Sequence, residues 1–86
     1  MIIVSQDKKK LVKADRMENI WINIDFEGRF TIEATANTNT TLGHYKTEER
    51  TKEVLQEIIT RYENWENMKM GQPSGICSPV YEMPED

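Results

Sequence analysis

The side chains able to do chemistry are few. The chain holds one histidine, His44, and one cysteine, Cys77, and the cysteine sits in a stretch rich in proline and glycine. A nucleophile and its base must lie within hydrogen-bond reach, with a third group orienting the base. Nothing in this spacing supplies that arrangement. One His and one Cys are too few for a structural transition-metal site. A lone cysteine builds no internal disulfide framework, and no glycine-rich phosphate loop is present. Carboxylates are plentiful, with 15 Asp and Glu, but most fall in turns or on a helix face where water solvates them. The expectation is a chain without catalysis, metal or cofactor.

A more coherent group is basic and aromatic: Trp21, Arg29, His44, Tyr45, Lys46 and Arg50. Trp21 falls on the polar side of an alternating strand and Arg29 at a hairpin end. His44, Tyr45 and Lys46 lead into a helix N-terminus, and Arg50 follows. A helix N-terminus offers free backbone N–H groups to an anion. Arginine pairs bidentately with phosphate, and an aromatic ring stacks on a base. Together these residues make a candidate nucleotide site, with Trp21 or Tyr45 stacking and Arg29, Lys46 and Arg50 meeting phosphates. A competing reading gives Trp21 a second core or a dimer contact and pairs Arg50 with Glu53. Glu48 and Glu49 at the same helix end weigh against an anion.

The element that positions this group runs from Thr47 to about Glu66. Thr51, Val54, Leu55, Ile58, Tyr62 and Trp65 recur at three- and four-residue spacing, the period of one helix face. Thr47 suits an N-cap, with Glu48 and Glu49 favourable in the first turn. Glu48–Lys52 and Glu57–Arg61 are i,i+4 pairs in the better order.

Everything before the helix reads as strands. The first covers residues 1–6 and the second 10–14, with the lysines at 8–10 on a solvated hairpin tip. Residues 19–25 alternate cleanly, with Ile20, Ile22 and Ile24 on one face and Trp21, Asn23 and Asp25 on the other. A hairpin at Gly28 leads to residues 30–36, which alternate again. Residues 37–40 carry turn chemistry, and a fifth strand spans 41–46 with Leu42 inward. The fold class expected is α+β: a mostly antiparallel sheet of about five strands, one long helix across a face, and an irregular tail. Residues 1–66 make the domain. Residues 67–86 make the tail, with a short edge strand at 80–83. Unpaired edges at the first or fifth strand would need covering, which self-association supplies, so a homo-oligomer is expected.

Composition narrows the partners. Eighty-six residues make one domain, and only roughly 60–65% of the unfolded surface is buried at this size. A sizeable ligand therefore binds on a face or between subunits. The net charge of −4 disfavours double-stranded nucleic acid, which needs a positive footprint. No apolar run approaches the ~18–20 residues of a membrane span, and the opening apolar stretch is short for a signal peptide. A reducing cytosol fits the lone cysteine.

The opening MIIVSQDKK, the segment LGHYKTEERTKEVLQEI and the closing VYEMPED resemble small uncharacterised proteins of Firmicutes phages and prophages. The matching residues are Leu42, Gly43, Tyr45, Thr47, Glu48 and Glu49, then Lys52, Val54, Leu55 and Ile58; residues 13–40 carry little of the likeness. The resemblance implies a host cytoplasm and an accessory gene. Small phage proteins of this build include sponges for immune signalling nucleotides, as in anti-Thoeris and anti-CBASS proteins, and binders of defence proteins, as in anti-CRISPR proteins. The expectation is an anti-defence protein that captures a cyclic oligonucleotide or cyclic ADP-ribose-type signal without catalysis. The alternative is a protein–protein inhibitor of a host defence factor, acting through an acidic helix face of Glu49, Glu53, Glu57 and Glu63 or through the tail.

Overall fold

The structure, a computed structural model, describes residues 1–69 and 80–85. Its helix α1 (Glu48–Lys69) begins as the sequence predicts. Thr47 Oγ1 accepts the N–H of Arg50 at 3.1 Å, capping the first turn. The helix continues three residues beyond its expected end at Glu66. Thr51, Val54 and Ile58 are buried, while Leu55, Tyr62 and Trp65 pack partly buried against the core. Lys52 pairs with Glu48 at 3.1 Å. Glu57 and Arg61 serve a longer contact: Glu57 accepts the Tyr81 hydroxyl at 2.8 Å, and the Arg61 guanidinium lies 5.4 Å from the centre of the Tyr81 ring.

The α+β class holds, but the single five-stranded sheet does not. The strands form two sheets of three. In the first, β1 (Ile2–Val4) lies between β2 (Leu11–Lys13) and β6 (Val80–Glu82), antiparallel to β2 and parallel to β6. In the second, β3 (Asn19–Ile24), β4 (Phe30–Ala36) and β5 (Thr38–Tyr45) form an antiparallel meander. The physical reason is that β1 is only three residues long and both of its edges are taken, so no edge is left to join β5. The sheets touch just past the end of β1, where the Gln6 N–H donates to Leu42 O at 2.7 Å. Residues 80–83, expected as a short edge strand, supply β6 and Met83. Cys77 and the expected break at residues 71–75 lie outside the described residues.

Turn chemistry decides the connections. Between β1 and β2, the Ser5 hydroxyl donates to Asp7 Oδ1 at 2.6 Å, and Asp7 also accepts the Lys9 N–H. The lysines at 8–10 sit exposed on this turn, as expected. Between β3 and β4, Gly28 N–H closes onto Asp25 O with Gly28 at φ +80°, a left-handed position that glycine takes without a Cβ clash. Between β4 and β5 the expected four-residue turn shrinks to Asn37 at φ 78°. Asparagine tolerates that conformation, and the β-branched Thr38 and Thr40 then extend the strand.

One bulge fixes which β5 side chains reach the core. Ile32 lies opposite Gly43 and Glu33 opposite Thr41, so Leu42 is an extra residue in β5. Strict alternation would send Leu42 and Tyr45 to opposite faces. The extra residue lets both be buried, with Ile32, Ala34, Val54, Ile58, Ile3, Tyr81 and Met83. Gly43 is needed at the bulge, because a Cβ there would stand 3.0 Å from the Tyr45 hydroxyl and 3.3 Å from the Gln6 Cβ.

Of the two edges expected to need a neighbour, one is occupied and the other is met in part. β1 is paired on both sides, and β5 is met by Gln6, whose Oε1 accepts the His44 N–H at 2.9 Å and whose Nε2 donates to His44 O at 3.1 Å. At β1 and at the Leu42–His44 end of β5, the neighbour thus comes from the chain itself.

Candidate functional site

The six basic and aromatic candidates do not form one constellation. Tyr45 departs furthest from expectation. Its exposure is 1%, and its hydroxyl donates to Pro84 O at 2.8 Å. A ring held there has no face to offer a base, so its role as a stacking residue gives way to a core role. The bulge at Leu42 is the physical cause.

Trp21 is half-buried on the sheet face away from the isoleucines. Its register neighbour on β4 is Glu33, and Glu33 in turn accepts the Thr41 hydroxyl at 2.8 Å. A carboxylate beside the ring opposes a phosphate-bearing ligand. His44 and Arg29 converge instead on Asp25, an acidic hub that the sequence reading passed over. Arg29 Nε donates to Asp25 Oδ2 at 2.9 Å, and His44 Nε2 lies 4.0 Å from the same oxygen. The Arg29 guanidinium also reaches Glu27 at 3.4 Å. Arg50 sits near Glu53 at 3.9 Å, as the competing reading had it. Lys46 is exposed after β5, at the helix entrance.

The Asp25 carboxyl illustrates how this end of the sheet is held. Partial burial pushes its pKa up, but the N–H groups of Arg29 and Glu27 and the Arg29 guanidinium overcome that and hold it below the usual 3.8. A carboxyl with a lowered folded pKa contributes stability that is present above its unfolded pKa and lost as pH falls through the folded value. The Arg29 amide resonance should therefore shift as the hairpin loosens once pH falls below the usual carboxylate range. In Asp25→Asn that transition should be missing. An unchanged acid profile in this variant would show that the hub has no such role.

Other polar groups do structural work. Burial first, and then the hydrogen bond to Glu57, push the Tyr81 phenol far above its ordinary range, so it stays a donor. Gln6 ties the His44 backbone to Pro84 O, the latter at 3.1 Å. Sequence reasoning missed this residue, since a single glutamine after a strand carries no periodic signal.

An open groove of about 370 Å³ runs between α1 and the start of β3, lined by Ala14, Met17, Ile20, Ile58, Ile59 and Tyr62, with the carboxylates Glu18 and Glu63 at its rim. It is apolar and acid-bordered, which does not suit an anionic ligand. Among the described residues no group of His, Cys, Asp and Glu could hold a metal ion, and no helix is long and apolar enough to cross a membrane. Comparison with protein-family models, curated proteins and solved structures gives no match.

Proposed function

We propose that this chain is a small non-catalytic binding protein, a phage or prophage accessory factor that engages a host defence protein through the outer face of α1. The observation that carries this reading is a stripe on that face. Residues 49, 53, 56, 60, 63 and 67 share one side of the helix at three- and four-residue spacing and are exposed. They present Glu49, Glu53 and Glu63 with Gln56, Thr60 and Asn67, and no lysine or arginine. At 1.5 Å per residue the stripe is ~27 Å long. Glu57, expected on this face, turns to Tyr81 instead. Such a stripe complements a basic protein surface and steers association electrostatically. The resemblance to small phage proteins supplies the biological setting.

Nucleotide capture has less support. Of its six residues, Tyr45 is in the core, Arg29 and His44 border Asp25, and Trp21 neighbours Glu33. The test uses immobilised protein in host lysate beside a Glu49→Lys/Glu53→Lys/Glu63→Lys variant. Wild type should retain a specific host protein, weakly so at raised salt, and the variant should lose it at least tenfold. A parallel thermal-shift series with cyclic di- and trinucleotides and cyclic ADP-ribose isomers should show no change. A multi-degree rise with one of them would overturn this reading in favour of nucleotide capture.

A further inference from the structure

β3 is paired on one side only. Its other edge, residues 19–24, has no neighbour among the described residues. The ladder shows which backbone groups that edge presents. Asp25 N–H donates to Arg29 O at 3.0 Å, so Asp25 turns its backbone towards β4. Backbone direction alternates along an antiparallel strand. Asn23, Trp21 and Asn19 thus also face β4, and Ile22 and Ile20 aim their N–H and C=O outward.

Unpaired edges are ordinarily blunted by charge, proline, bulges or cover. The other edges follow that rule. β2 is three residues long, follows Lys10 and ends on Lys13. β6 carries Glu82, and Arg61 donates to its Val80 O at 3.3 Å. β5 is held by Gln6. β3 carries no charge and no proline across Asn19–Ile24. Apolar surface lies beside it as well: Ile24 is 58% exposed, Ile59 39%, and Phe26 fully exposed at the adjoining turn.

The sequence of this edge names its occupant. Residues 19–23 read Asn-Ile-Trp-Ile-Asn, the same in both directions. A two-fold interface requires that where residue i meets j, residue j meets i. An antiparallel pair centred on Trp21 satisfies this with like against like. We propose that the free edge of β3 binds the same edge of a second copy of this chain, with the two-fold axis at Trp21.

In this pairing Ile20 of each copy faces Ile22 of the other, and each such pair exchanges both of its N–H···O bonds through the groups that now point outward. Trp21 meets Trp21 as a close, non-hydrogen-bonded pair, the geometry in which cross-strand aromatic rings interact best. Asn19 meets Asn23 on the same face. The product is one sheet crossing both molecules, with three strands from each. A dyad perpendicular to the sheet keeps both helices on one face and aligns the Ile20 and Ile22 side chains along the seam. The antiparallel offset also brings Phe26 of each copy alongside residues 14–17 of the other, next to the apolar groove containing Met17 and Ile20. This inference is independent of the role given to the outer face of α1.

The test exploits the fact that residue 21 meets itself. Light scattering on the full chain should give twice the 10.1 kDa of one chain. Trp21→Lys and Trp21→Glu, each alone, should run at the mass of one chain, because like charges then oppose across the axis. Mixed in equal amounts they should recover the double mass. A wild type that stays at single mass, single variants that remain double, or a mixture that stays single would each overturn the proposal. Should either variant fail to fold, amide exchange on wild type decides: Ile20 and Ile22 N–H groups should be protected, more so at higher protein concentration. Fast exchange at both, whatever the concentration, would overturn it.

Discussion

Tyr45→Ala should lower the melting temperature by roughly 12 °C or more. The expectation rests on a cavity of aromatic size, which costs roughly 3–5 kcal/mol, in a domain where each kcal/mol shifts the midpoint by about 4–8 °C. Tyr45→Phe isolates the hydroxyl. It keeps the ring and loses the bond to Pro84 O, about 1 kcal/mol. Thermal unfolding followed by circular dichroism separates the two variants. The comparison distinguishes a core tyrosine from a ligand-stacking one, since an aromatic waiting for a base could be truncated with little loss of stability. A Tyr45→Ala protein that melts with wild type would move this residue back to the surface.

The second large effect concerns residues 80–85. A chain ending at Pro79 should lose its cooperative melt. It would lack Tyr81 and Met83, which are 6% and 2% exposed, and burial of two such side chains contributes about 3–6 kcal/mol at ~1.5–3 each. It would also bare one edge of β1 and leave Gln6 and Tyr45 without their acceptor at Pro84. A domain of 86 residues has only roughly 4–13 kcal/mol of net stability at ~0.05–0.15 per residue. Tyr81→Ala with Met83→Ala in the full chain tests the same contact without shortening it, and should remove most of that stability. Sigmoidal unfolding of the shortened chain near the wild-type midpoint would show that the sheets stand without β6.

Much of this architecture is legible from local patterns. The helix stripe from Thr51 to Trp65, its Thr47 cap and the strands β3 and β4 all reflect short-range periodicity and reappear in the structure, although Ile24 is exposed and Thr31 buried against the expected alternation. What escaped was non-local. Nothing in Ile2-Ile3-Val4 says that one edge will be taken by a strand from the far end of the chain, so two sheets looked like one. Tyr45 left the candidate group for a more local reason. One extra residue at Leu42 reversed the side on which Tyr45 lies, and no feature of Thr-Leu-Gly-His-Tyr distinguishes a bulge from regular alternation, although Gly43 is the kind of residue that accompanies one. Asp25 as the meeting point of Arg29 and His44 depended on register between β3, β4 and β5, which a single sequence leaves open.

The parallel partnership of β1 and β6 has a consequence for synthesis. β2 follows β1 within one tight turn, but the contact from Gln6 to Pro84 spans 78 positions. On the ribosome β1, the meander and α1 all emerge before the strand that shields Ile3 and Tyr45. At ~5–20 residues per second, the nascent chain carries that apolar surface bare for a time on the order of seconds. Non-local pairing of this kind is also slow to find. The polypeptide thus stays open to proteases and chaperones at Ile3 and Tyr45 until residues 80–85 are free to dock.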